Sequence, residues 1–204
     1  MKASTATPPP IQEREEVVLA IDDQRGTVGM MLFIATEAFL FVLLFFSYFY
    51  LSRGNWRWTQ ETPPKLPLAF VLLGILLASS GVVFWGEKQL KIGNEGRAKL
   101  ALLGTILLGL VFIGVQVLEY IDHLKELSPR TDAYGSIFYT IVSFHAAHVI
   151  VGLLILIYVA LLPQLEPAQR PPHRPYHNGA MYWHFVDLVW IWVVALLYVL
   201  PNIR

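Results

Sequence analysis

With no cysteine in the chain, any metal would have to be held by its six histidines and its carboxylates. Disulfides, thiolate clusters and a paired-thiolate copper centre are excluded by the same absence. Several of the remaining candidates stand inside long apolar runs. Glu37 is the most informative, flanked by Phe33, Phe39, Leu40 and Phe41 with no counter-charge in sequence. It lies roughly 15 Å into its run at ~1.5 Å per residue. A charge at mid-bilayer costs ~2.5–3.5 kcal/mol, so this carboxyl is expected to be protonated or hydrogen-bonded to another helix. His145 and His148, three residues apart, share one helix face. A Glu37–His148 or Glu37–His145 hydrogen bond is the pairing to look for, and His148 lies closer in depth. His184 and Asp187 repeat the same spacing behind Tyr182 and Trp183, rings suited to a membrane interface. They are expected to satisfy each other, or else to form a network beside a proton route.

The same side chains admit other chemistry. His145 and His148 could ligate a haem iron or copper, with His184 as a further ligand, because neutral imidazole is a common metal ligand. Histidines satisfied by a packing partner are commoner. For Glu37, a proton or lipid site and an interhelical bond that fixes packing are both open readings. Glu119 and Asp122 close an apolar run beside Tyr120 and His123, and are expected at water or headgroups. His173, Arg174 and His177 are expected in a solvated loop.

The elements that position these groups follow from composition. The chain has 204 residues, 55% hydrophobic and only 15% charged, with mean hydropathy +0.53. A soluble domain carries about 25% charged residues, so the class is an all-α polytopic membrane protein. Five stretches are long enough for a hydrocarbon core of about 30 Å: 28–51, 67–85, 98–121, 135–162 and 180–200. None alternates like a barrel strand. Pro63, Pro64 and Pro67 open the second span, Gly93 to Gly96 mark the loop after it, and Pro163 to Pro175 fill the last connection. Residues 1–26 read as a polar, disordered tail without a cleaved signal peptide, and 27–204 as the five-helix domain.

Charge sets the orientation. Nine basic residues (Lys2, Arg14, Arg25, Lys88, Lys91, Arg97, Lys99, Arg170, Arg174) fall on the N-terminal side, against six opposite (Arg53, Arg57, Lys65, Lys125, Arg130, Arg204). The N-terminus is expected in the cytoplasm and the C-terminus outside. Fifteen basic and fifteen acidic residues leave no net charge and no field for nucleic acid.

Several segments carry a family resemblance. Gly29 to Glu37 resembles the buried acidic helix of cytochrome c oxidase subunit III, the third subunit of haem–copper oxidases. Gln116 to Tyr120 with Tyr134-Gly135-Ser136, the His145/His148 segment, Tyr182 to Trp190, Arg97 and Leu76 to Gly81 match in the same order. The resemblance runs from about Gly29 to Tyr198 and implies the five-helix bacterial form, in the cell inner membrane. Two departures stand out. Ala146 replaces a common Gly between the histidines, and His177 stands where many members carry an acid. The resemblance implies a non-catalytic subunit, with no haem or copper of its own, beside a catalytic subunit I that holds both. It implies roles in stabilising that subunit, sustaining proton uptake and binding phospholipid. Glu37, His145, His148, His184, Asp187 and Glu119 are then buried polar, proton- or lipid-linked positions, none of them catalytic.

Other readings stay open. A quinol oxidase subunit III and an accessory subunit of nitric oxide reduction share the family. A haem b membrane anchor using His145, His148 and His184 is another class. A small transporter coupled through Glu37 is a third, although no inverted repeat or broken helix is evident.

Overall fold

The computed structural model describes residues 11–53, 66–126, 133–165 and 173–203, with side chains described for 25–53, 66–121, 133–162 and 174–201. The described backbone is a bundle of long helices: α1 (Ile11–Ser52), α2 (Leu66–Lys91), α3 (Glu95–Glu126), α4 (Ala133–Leu165) and α5 (His173–Val193). A π-helical segment, Val194–Val199, and a last short turn, α6 (Leu200–Ile203), continue α5. Five of these helices are long and apolar enough to cross a membrane.

Each helix outruns the span expected from hydropathy, since backbone bonding continues past the last apolar residue. Pro67 and Pro175 sit in the first turns of α2 and α5, where a missing N–H costs nothing. α1 begins at Ile11, inside the stretch expected to be a disordered tail. Gln12 to Glu16 are good helix formers followed by an apolar run, which favours continuing the helix. The α2–α3 connection reverses at Gly93, whose φ of 83° suits the absence of a Cβ. In the π segment the Leu200 N–H bonds back to the Ala195 carbonyl, just ahead of Pro201.

α5 is the hub, packing against α1, α2 and α4, while α2 packs on α3 and α3 on α4. Of its spanning window 61% is buried, against 6% for α1. α1 rests on α4 and α5 only by one side and turns Leu32, Phe39, Val42 and Phe46 outward.

Trp183 of α5 sits at the meeting of four helices. Its indole N–H donates to the Ser79 hydroxyl of α2 at 2.9 Å, and its ring leaves no room for a side chain at Gly109 of α3 and crowds the position of one at Gly152 of α4. A Cβ at Gly109 would fall 2.7 Å from both Leu153 and the Trp183 ring, a contact the rigid indole cannot yield easily. Gly109→Ala should therefore cost about 1–3 kcal/mol of bundle stability, measured by thermal unfolding in detergent. Gly114→Ala on the same helix meets open space and should be neutral.

Candidate functional site

The Glu37 carboxylate of α1 and His148 of α4 meet at 2.8 Å between Oε2 and Nε2, with both side chains mostly buried. His148 Nδ1 lies 2.6 Å from the Phe144 carbonyl, which can only accept, so Nδ1 carries a hydrogen. Two arrangements of the pair remain. Either a protonated Glu37 donates to a bare Nε2, or an imidazolium donates to the carboxylate. Both hold one proton between the two atoms and both are neutral overall. Such a unit crosses low dielectric without a net charge. Phe41 packs its ring edge-on to the imidazole at 4.8 Å, and Phe33 stacks on Tyr182 of α5 at 5.8 Å.

His145 turns elsewhere. It is 1% exposed, donates through Nε2 to the Val186 carbonyl at 3.3 Å, and lies against Trp190 with ring centroids 4.6 Å apart. A three-residue step rotates a side chain by about 60° around the helix axis. That is enough to send His148 to α1 and His145 to α5.

His184 and Asp187 do not satisfy each other as expected. His184 Nδ1 bonds to the Ser80 hydroxyl of α2. Asp187 is buried, within reach of that hydroxyl but outside the geometry of a direct bond. Sharing a helix face brought both residues to α2, where the Ser80 hydroxyl engages the imidazole.

Glu119, expected at water or headgroups, is 3% exposed. α3 runs on to Glu126, so Glu119 is an interior residue of the helix. Gln116 donates to it at 3.2 Å, and the Tyr198 phenol from the π segment is directed at it. The side chains of Asp122, His123 and His173 lie outside the described residues. His177, expected in a solvated loop, stands on α5 and bonds through Nδ1 to Glu87 of α2 at 3.0 Å.

Glu87 is the residue that sequence reasoning missed. Its side chain is only 12% exposed and also pairs with Lys91 at 2.8 Å. The i, i+4 Glu-to-Lys spacing was a signal that could have placed both on one helix face. With Thr27, Leu90, Lys91, Arg174 and His177 it lines a pocket of about 300 Å³ where α1, α2 and α5 converge.

Among the described residues, no three histidines or carboxylates converge as a metal site would require. His145, His148 and His184 are each engaged by a different group, respectively a backbone carbonyl, a carboxylate and a hydroxyl. Fold and site together define a polytopic membrane protein whose helices are tied by buried polar pairs.

Comparison narrows the class. Residues 23–201 match the family model described as cytochrome c oxidase subunit III. The chain is 38% identical over 180 residues to cytochrome c oxidase subunit 3 of Gallus gallus, covering 83% of this chain and 67% of that one. The Triticum aestivum protein is 35% identical over 186 residues, covering 83% and 66%, and the Rattus norvegicus protein 38% over 180, covering 83% and 67%. The aligned region thus spans about two thirds of each relative's length. This chain belongs to the cytochrome c oxidase subunit III family.

The Glu37–His148 geometry carries a direct consequence. Glu37→Ala and His148→Leu should each destabilise the docking of α1, and the double variant should cost less than the sum, with a coupling of about 0.5–3 kcal/mol. Thermal unfolding of the four proteins in one detergent measures it. Full additivity would show that the two side chains do not interact.

Proposed function

We propose that this chain is the non-catalytic subunit III of a haem–copper terminal oxidase in aerobic respiration. It stabilises catalytic subunit I, sustains proton uptake and binds phospholipid between its helices. Haem and copper belong to subunit I, and the chain sits in the bacterial inner membrane with its N-terminus in the cytoplasm. The observation that carries this reading is the family match over residues 23–201.

Physical chemistry says how such a subunit works without a redox centre. α1 presents Leu32, Phe39, Val42 and Phe46 to its surroundings, a continuous apolar face for the catalytic subunit or for acyl chains. The Glu37–His148 bond holds that face at a set angle to the bundle. The rim pocket of Lys91, Arg174 and His177 around Glu87 lies at headgroup depth, where cations favour an anionic lipid. Glu37, His145, His148, His184, Asp187 and Glu119 act in this reading as proton- or lipid-linked groups.

Affinity purification of the tagged chain in mild detergent should bring down a multi-helix partner with a haem spectrum, and the spectrum would narrow the electron donor to cytochrome c or quinol. A chain recovered alone and coloured would point instead to a haem anchor, and one alone and colourless to a transporter. Glu37→Ala should leave membrane insertion intact and shorten the lifetime of the oxidase during turnover. An unchanged lifetime would remove Glu37 from the mechanism.

A further inference from the structure

The facing sides of α2 and α5 are polar at matched intervals. Near the N-terminal rim of α5, His177 bonds to Glu87. Seven residues deeper on each helix, about 10 Å at ~1.5 Å per residue, His184 bonds through Nδ1 to Ser80. One turn further along α5 lies the buried Asp187, whose two oxygens have no direct hydrogen bond among the described residues. The Ser80 hydroxyl is within reach of that carboxyl. One hydroxyl therefore stands between an imidazole and a carboxyl in the middle of the spanning region.

We propose that His184, Ser80 and Asp187 form a proton relay on the α2–α5 seam, delivering a proton that arrives at His184 Nε2 to the buried Asp187 carboxyl. A hydroxyl has one hydrogen to give and two lone pairs to receive with. When His184 carries hydrogens on both nitrogens, Nδ1 donates to Ser80 Oγ, and a turn of the Ser80 side chain brings its O–H onto the Asp187 carboxylate, a bond that the resting geometry leaves unmade. As the Nδ1 hydrogen passes to Ser80, the Ser80 hydrogen passes to Asp187. The products are a neutral imidazole with its hydrogen on Nε2, an unchanged hydroxyl and a neutral carboxylic acid. Both hydrogen bonds have reversed and the total charge is the same.

The surrounding groups suit a relay loaded from the His184 end. The ring is only partly buried, whereas Asp187 is 4% exposed. Glu87 of α2, itself paired with Lys91, and His177 of α5 act electrostatically on His184. From α4, His145 is engaged by the Val186 carbonyl beside Asp187. From α1, Glu37 faces Tyr182 and is held by His148.

The relay deepens the proton-linked part of the proposed function, and its test can be separated from that reading. Attenuated-total-reflection infrared spectra of the intact complex, recorded on exchange from H2O into D2O, report protonated carboxyls by their C=O stretch. The wild type should show an exchanging band that is lost in Asp187→Asn. In Ser80→Ala the band should persist while its exchange slows about tenfold or more, and Ser80→Thr should restore the rate. A band indifferent to Asp187→Asn, or exchange in Ser80→Ala at the wild-type rate, would overturn the relay. If Asp187→Asn fails to accumulate, the Ser80 pair decides alone, because it reads the native Asp187. A preparation without a haem-bearing partner counts against the oxidase assignment, and the same spectra of the purified chain still decide the relay.

Discussion

In hydrocarbon, apolar side chains gain nothing by leaving lipid, so this bundle depends on close packing and on hydrogen bonds between helices. Trp183 supplies both. Its ring fills the junction that Gly109 and Gly152 leave open, and its N–H ties α5 to Ser79 of α2. Ser79 in turn donates to the Leu76 carbonyl at 2.7 Å, and Thr105 of α3 reaches the Ser79 carbonyl at 3.4 Å. A single large side chain thereby sets how closely α2, α3, α4 and α5 approach. Trp190 extends the arrangement one level along α5, edge-on to Phe112 of α3 and over His145 of α4.

α1 stands apart from that junction. With 6% of its spanning window buried, it has little packing to hold it. The Glu37–His148 bond and the Phe33–Tyr182 stack therefore carry a larger share of its attachment than such contacts do elsewhere. Because the pair shares one proton, it binds without placing net charge in the membrane. The outward face of α1 and the grip that holds it are thus linked through one hydrogen bond.

The five helices and their order were legible, because ~20 apolar residues in succession have few alternatives in a bilayer. Glu37 was legible too, since a lone carboxyl among phenylalanines demands a partner. The choice between His145 and His148 was not. Both are on one face by spacing, and their separation depends on how α1 and α5 sit around α4. Hydropathy alone misplaced Glu119 and His177 for a related reason, although the family resemblance already implied a buried Glu119. Hydropathy marks where lipid contact ends, whereas α3 and α5 continue beyond it and carry polar residues into contact with neighbours. Glu87 was overlooked on the same boundary, two residues outside a span drawn to end at Trp85.

By itself, the sequence determined what each helix must be: its length, its apolar character, and which polar groups it carries into the membrane. These are local properties, decided by transfer free energy and backbone hydrogen bonding within one segment. Partner choice was decided only by the tertiary structure. His148 went to Glu37, His145 to a backbone carbonyl, and His184 to Ser80 in place of Asp187. A hydrogen bond forms over about 3 Å and a narrow range of angles. The rotation and depth of one helix against another, set by Trp183 and the glycines around it, settle which atoms come that close.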